Sequence, residues 1–322
     1  PEHGNGKAVM PRVLVTGAGG PAGRAVAAQL KSRGVPVLGT DIRELPAGAG
    51  LTVVPVPPAS DPDMVSALRR LVVQEGINLV IPTVSEELPQ LAGYRAAFGT
   101  DVRVIIGDPG PVALANDKLF TAWQLQTAGV PVPRFGVPRD FANAGAAMAA
   151  LGGPIVLKPR VSRGGRGVMV IDGSKQVDWH RLPEGLIVQE FIPGTEYGPM
   201  VFGTPAHNGA APFVVVVEKT ELAQGNVGNA VSTRRAEAGE AMDVGNLAMA
   251  AVRSLGLTGP VDVDVRRRAD GTPVVLEVNA RFGANSGRAP ELLDAVLASF
   301  ALPSFNPASF RQSTGAYAHV LV

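Results

Sequence analysis

Val261-Asp-Val-Asp-Val-Arg-Arg-Arg-Ala-Asp-Gly-Thr-Pro-Val-Val-Leu-Glu-Val-Asn-Ala-Arg281 reads as a β-hairpin. Asp270-Gly271 marks the turn, and Val261–Arg267 and Pro273–Val278 are its strands. A four-residue loop at 269–272 sets Arg268 opposite Pro273. The same register sets Asp264 opposite Glu277 and Asp262 opposite Asn279. Side chains alternate along a strand, so Asp262, Asp264, Glu277, Asn279 and Arg281 share one face. Val261, Val263, Val265, Val274, Leu276 and Val278 share the other, which must be core. Two carboxylates directly opposite each other repel, and a divalent cation removes that penalty. Mg²⁺ prefers hard oxygen ligands, usually one or two carboxylates plus substrate phosphates; an asparagine carbonyl suits a third position. A solvated polar face is the competing reading of an isolated hairpin. The facing acids, with an amide and an arginine on the same stripe, weigh against it.

Working back toward the N-terminus, Ile155–Pro159 is a buried strand that ends on Lys158. Only six lysines stand against 23 arginines, so a lysine in an apolar run is notable. Three residues beyond Pro159, Ser162-Arg-Gly-Gly-Arg-Gly167 begins. Such a loop can fold over phosphates, offering backbone N–H groups and cationic side chains; a mobile hairpin tip is the alternative. Gln189-Glu190-Phe191-Ile192 closes the strand Leu186–Gln189, and Glu196 follows. This segment can present backbone groups to an adenine edge and a carboxylate to ribose hydroxyls. The polar run Lys219 to Arg235 is expected to line a substrate, with Arg234 or Arg235 gripping a carboxylate bidentately; a solvated turn is the equal alternative.

The first hundred residues alternate strands (12–16, 35–40, 78–81, 102–106) with helices (to about 33, 64–74, 87–97), the pattern of a parallel sheet with crossover helices. Gly17-Ala-Gly-Gly-Pro-Ala-Gly23 lies between a strand and a helix, and Asp41 ends the second strand. Alone, that is a dinucleotide fingerprint or a glycine-rich packing turn. A helix follows from about Asn116 to Ala128, then a helix at 142–151 and strands at 155–159 and 168–171. Beyond Leu186, strands (186–189, 213–218, 261–267, 273–278) and helices (240–256, 288–299) suggest an α+β unit. The expected domains are therefore 1–112, 113–185 and 186–322.

The composition excludes several classes. With no cysteine there are no disulfides, thiolate chemistry or cysteine zinc sites. A net charge of +1 gives no strong pull on nucleic acid or anionic membrane. Arg266-Arg267-Arg268 and Arg234-Arg235 read as solvated faces. No apolar run approaches the roughly 18 residues of a spanning helix, and Pro1–Lys7 reads as a disordered leader without a signal-peptide core. The four histidines are scattered without metal or triad spacing.

Together these segments resemble the ATP-grasp superfamily of ligases, which includes D-alanine–D-alanine ligase, biotin carboxylase and the carbamoyl phosphate synthetase large subunit. The resemblance runs in order along nearly the whole chain. It implies an ATP-grasp fold, α/β and α+β, preceded by a Rossmann-like pre-ATP-grasp domain. Asn116-Asp117-Lys118 is similar to the family's first phosphate lysine, and Val156-Leu-Lys158-Pro159 to the second. It implies that Lys118, Lys158, Ser162, Gly164, Gly165 and Gly167 hold ATP phosphates, that Gln189, Glu190, Phe191 and Ile192 form the adenine hinge, and that Glu196 meets ribose. Asp264, Glu277 and Asn279 match the metal ligands for Mg²⁺, with Mn²⁺ as the other candidate. Arg281 and Lys158 are the implied catalytic side chains, and Arg281, Arg234, Arg235 and Ser286 the implied substrate contacts.

Thr16-Gly-Ala-Gly-Gly-Pro-Ala-Gly23 and Ile81-Pro-Thr-Val-Ser-Glu-Glu-Leu88 look closest to the synthetase-like branch, but one short ATP-grasp unit argues against carbamoyl phosphate synthesis. The implied reaction is ADP-forming carboxylate–amine ligation through an acyl phosphate. Its partners would be a small carboxylate and a small amine, with no nucleic acid or membrane, in a cytoplasmic protein whose assembly is open, a homodimer being one option. Two other readings stand beside it: an NAD(P)-dependent oxidoreductase using the Gly17 loop, and a nucleotide-binding module without turnover.

Overall fold

The computed structural model describes residues 10–45, 50–162, 164–174, 176–204, 211–223, 225 and 228–298. The leader expected over Pro1–Lys7 lies outside them, as do Arg163 and residues 224, 226 and 227 of the expected substrate segment.

One compact unit holds the described residues up to Ile106 and those from Arg281 onward. In chain order its first part is β1 (Val13–Val15), α1 (Pro21–Ser32), β2 (Val37–Asp41), β3 (Val53–Pro55), α2 (Met64–Glu75), β4 (Leu79–Ile81), α3 (Leu88–Tyr94) and β5 (Arg103–Val104). The strands form an all-parallel sheet in the order β3-β2-β1-β4-β5. β1 and β4 are wholly buried, as a parallel sheet covered on both faces requires. α2 turns Met64, Leu68, Leu71 and Val72 onto Leu14 and Val80 of the sheet. Each such side chain contributes roughly 1.5–3 kcal/mol of hydrophobic stabilisation. The edge strand β3 has no counterpart in the sequence pattern, because Val53–Pro55 is too short to show a period.

The Gly17–Gly23 loop is shaped by packing. A Cβ at Gly17 (φ +61°) would strike Val84, and one at Gly23 would strike the Gly17 carbonyl. The Gly19 N–H, which a dinucleotide reading turns toward phosphate, donates at 2.9 Å to Asp41 Oδ2. Asp41, the ribose acid of that reading, is thus the loop's own cap.

The other unit spans Gly107–Ala280. It begins with α4 (Pro109–Asn116) and α5 (Lys118–Thr127), then β6 (Phe135–Gly136), α6 (Ala144–Leu151), β7 (Ile155–Pro159), β8 (Met169–Ile171) and β9 (Leu186–Glu190). α4 is absent from the sequence reading, since its proline- and glycine-containing start gives no clear period. The Asp117 carboxylate caps α5 by accepting from Leu119 N. β6-β9-β7-β8 form one antiparallel sheet. β9 lies between β6 and β7, so the break expected after residue 185 cuts through a sheet.

The chain continues through β10 (Glu196–Tyr197), β11 (Met200–Gly203), β12 (Phe213–Val215), β13 (Val217–Leu222), β14 (Ala230–Arg235), α7 (Met242–Leu255), β15 (Gly259–Arg267) and β16 (Pro273–Asn279). The long β15 pairs with β16 along one edge. Along the other it pairs with β11, which carries β12, and with β10, which carries β13 and β14. The strand expected over 213–218 is two strands, because β12 and β13 serve these separate branches and break at Val216. The segment 219–235, read as loop, is largely the β13–β14 hairpin. Leaving this unit, the chain forms a 3₁₀ turn at Ser286–Arg288 and α8 (Pro290–Ala298), where Asp294 pairs with Arg33 at 2.8 Å. Residues 281–298, expected in a domain 186–322, thus group with the first unit, and residues 107–112, expected before the break at 112, with the second.

Candidate active site

The β15–β16 ladder pairs Asp262 with Asn279, Val263 with Val278 and Asp264 with Glu277, as expected. Nearer the turn the register differs. Arg267, and not Arg268, opposes Pro273, and Val265 opposes Val275. The loop is one residue longer than expected, and a β-bulge at Leu276 absorbs the difference before the acids are reached. Val275 therefore takes the core position expected of Leu276: it is 2% exposed, while Leu276 is half-buried. A bulged residue is left out of the ladder. The Leu276 carbonyl instead accepts from Lys158 Nζ at 3.4 Å.

Two lysines converge on Glu277. Lys118 starts the capped helix α5, and Lys158 lies near the end of the central strand β7. Their Nζ atoms stand 3.5 Å and 4.0 Å from Glu277 Oε2, and both side chains are buried. Lys118 also donates to the Ser162 carbonyl at 3.1 Å and to its hydroxyl at 3.4 Å. Asp117 is held by Arg160, Nε to Oδ1 at 3.0 Å and Nη2 to Oδ2 at 2.5 Å, which fixes the start of α5. Burial pulls Lys158 down to about 8, with Glu277 pulling the other way. A buried ammonium so destabilised gains much from a polyanion.

The same face holds an ion ladder that the sequence reading did not assemble. Lys219 of β13 donates to Glu196 Oε1 at 2.6 Å and to Asp264 Oδ1 at 2.6 Å. Arg266 of β15 donates to Glu196 Oε2 at 2.7 Å and to the Ile192 carbonyl at 3.0 Å. Glu196 sits between them because β10 is flanked by β13 and β15, opposite Lys219 on one side and Arg266 on the other. Although burial opposes it, Asp264 and Glu196 hold Lys219 above the ordinary lysine range. Burial pushes Asp264 upward, with Lys219 pulling it down. The scarcity of lysine was the one sequence signal for Lys219. Arg266 is 6% exposed, which corrects its reading as part of a solvated cluster. Arg267 and Arg268 are paired with Asp243 and Glu190.

Of the hinge residues, Gln189 and Ile192 are buried. Phe191 lies beneath the Arg266 guanidinium, 5.9 Å from its ring centroid. The Glu190 carboxylate is clamped by Arg134 at 3.2 Å and Arg268 at 2.5 Å. In the loop, Gly164, Gly165 and Gly167 all take φ between +61° and +72°, conformations glycine adopts without strain. The backbone of Gly165 lies against Gly228 at the tip of the β13–β14 hairpin. Arg234 is bound by Glu218 and Glu240, so protein carboxylates occupy the fork expected to grip substrate. Arg235 lies opposite Val217. β16 ends at Asn279, so strand alternation does not carry Arg281 onto the shared face. Arg281 belongs to the first unit, where its Nε donates to Ser85 Oγ at 3.1 Å. Ser286 is fully buried there, accepting from Gln29 at 3.3 Å.

The donor set suits Mg²⁺ in kind. Asp264 and Glu277 are hard carboxylates on facing strands. Asn279 donates its amide to Glu277 Oε1 at 3.2 Å, leaving a carbonyl oxygen as third donor. No group of three acidic or histidine side chains among the described residues could hold a metal. A cation here would complete its shell with substrate phosphates, as Mg²⁺ commonly does.

The sequence pattern of the ATP-grasp domain matches residues 115–285, more than half the chain. Phosphoribosylamine–glycine ligase of Leifsonia xyli subsp. xyli is 30% identical over 192 residues, 58% of this chain and 44% of that protein. D-alanine–D-alanine ligase of Neisseria meningitidis serogroup B is 28% identical over 188 residues, 54% of this chain and 60% of that one. The chain thus spans about half the length of these relatives. The structure of L-amino acid ligase from Bacillus licheniformis matches with a TM-score of 0.66 at 19% identity, over 89% of this chain and 71% of that one. N5-carboxyaminoimidazole ribonucleotide synthetase from Thermotoga maritima matches with a TM-score of 0.60 at 19% identity, over 84% and 69%. These structural likenesses concern the fold. Facing acids on a hairpin, two converging lysines and a matching pattern over the same residues lead to one conclusion: the chain belongs to the ATP-grasp family.

Proposed function

We propose that the protein is an ADP-forming carboxylate–amine ligase that uses Mg²⁺ and ATP. The observation that carries this is the pairing of lysines and carboxylates on one face: Lys118 and Lys158 on Glu277, Lys219 on Asp264. Three ammonium groups beside two facing acids suit a metal-bound triphosphate. Names among the relatives and fold neighbours, ligases of amino acids and of ribosyl amines, support the same class.

A substrate carboxylate oxygen attacks the γ-phosphorus, the bond from that phosphorus to the β,γ-bridging oxygen breaks, and ADP leaves. The amine nitrogen then attacks the acyl carbon, phosphate departs with the C–O bond electrons, and the nitrogen loses a proton. Phosphoryl transfer asks the protein chiefly for positioning and charge neutralisation. Lys118 and Lys158 hold phosphate oxygens, and the Ser162–Gly167 loop covers them and excludes water. Asp264, Glu277 and Asn279 would hold Mg²⁺, which would supply neutralisation of phosphate charge. Gln189 to Ile192 receive adenine. Glu196 orients Lys219 and offers its remaining lone pairs to ribose. Arg235 serves the substrate side. Among the described residues no helix is long and apolar enough to cross a membrane; a cytoplasmic location and small-molecule partners, with a homodimer as one assembly, complete the proposal.

The test is a panel of carboxylates crossed with amines, scored by ADP release and by mass spectrometry of the joined product. A product whose mass equals that of the free acid and amine combined, less one water, supports the reading. NADPH-dependent reduction of a panel member, with no ADP released, would sink it.

A further inference from the structure

Lys219 forms an ion pair with one of the two facing acids and is anchored independently of it. Its ammonium bonds Asp264 Oδ1 and Glu196 Oε1, each at 2.6 Å. The other Glu196 oxygen is held by Arg266 at 2.7 Å, and Arg266 is itself fastened to the Ile192 carbonyl. Glu196 is thus fixed from its far side, and Lys219 can release Asp264 without losing its place. Lys219 is 10% exposed at the side chain, Glu196 11% and Asp264 21%. Charges screened this little interact strongly.

Building on the metal assignment proposed above, we propose that Lys219 is a competitor built into the site, contesting Asp264 with the divalent cation and making cation binding conditional on the nucleotide. A cation arriving alone must displace the ammonium from Asp264 and remain close to it. It also meets Lys118 and Lys158 beside Glu277. Phosphates arriving with the cation give all three ammonium groups new anionic partners, so the exchange preserves charge balance. The metal takes the carboxylates and the phosphates take the lysines. The coupling is reciprocal: whatever the nucleotide adds to cation affinity, the cation adds to nucleotide affinity.

The competition is read on nucleotide-free protein, by equilibrium dialysis with Mn²⁺. Lys219→Met should bind Mn²⁺ at least tenfold more tightly than wild type, and Lys219→Arg, which keeps the cation, should not. Adding Asp264→Asn to Lys219→Met should remove the gain. If Lys219→Met does not fold, Lys219→Gln removes the same charge and should give the same gain. Equal or weaker binding by the uncharged variant overturns the proposal, as does a gain that survives Asp264→Asn. Dialysis with ADP present separates the two levels. If wild type retains Mn²⁺ with ADP but the uncharged variant shows no gain without it, the competition is absent and the metal assignment stands. If wild type retains none with ADP, the metal assignment fails and takes the competition with it.

Discussion

Lys158 shows how a single buried charge links stability to binding. Its ammonium is buried, and its pKa falls from 10.5 to about 8. Below pH 8 both native and unfolded chains keep the proton, and the native state bears the cost of burying it. Between pH 8 and 10.5 the native lysine has released its proton while the unfolded one still holds it, so stability rises with pH in that window. Lys158→Met should remove this rise, worth about 3 kcal/mol at most. It should leave stability at pH 7 equal or higher while weakening ATP binding. Urea unfolding of wild type and variant at pH 7 to 10.5 reads the difference. At this scale the sequence was legible where chemistry and apolar context coincide, as at Lys158, Asp264 and Glu277. It was not legible at Arg266, because three consecutive arginines look like a solvated run. Only the pairing of β15 with β10 shows that Arg266 is buried against Glu196.

At the scale of elements, the β15–β16 hairpin places the acids, and its bulge does a second job. The sequence register was right at Asp264 and Glu277 and wrong by one residue at the turn. Alternation fixes which residues share a face, whereas loop length and bulges follow from local backbone geometry that residue types barely specify. Deleting Leu276 would leave Val265 opposite Val275 and Asp264 opposite Glu277 with unbroken alternation. The deletion should fold with stability within about 2 kcal/mol of wild type. It removes the carbonyl that accepts from Lys158, so nucleotide affinity should fall roughly tenfold, the weight of one hydrogen bond to a charged group. Thermal unfolding and calorimetric titration check the two halves; undiminished affinity would show that the bulge has no part in placing Lys158. The two-residue strand β10, which aligns Glu196 with both of its cations, is too short to be read from any period.

For the whole molecule, the parallel sheet of the first unit and the order of segments in the second were readable because each rests on repeated apolar patterns. The division of the chain was not, since β9 and α8 join elements far from them in sequence. The parallel strands and glycine loop of the first unit also invite confusion with dinucleotide enzymes. Here the Gly19 N–H is already bonded to Asp41, so Mg·ATP should raise the melting temperature by a few degrees at saturating concentration and NADPH should leave it unchanged. The proposed ligation needs Glu277 and its neighbours to form the metal end of a nucleotide site. Calorimetric titration of ATP into wild type and Glu277→Ala, each with excess Mg²⁺ and with EDTA, checks this. Wild type should bind ATP at least tenfold more tightly with Mg²⁺, and Glu277→Ala should lose most of that gain. If the variant keeps the full Mg²⁺-dependent gain, Glu277 does not hold the metal.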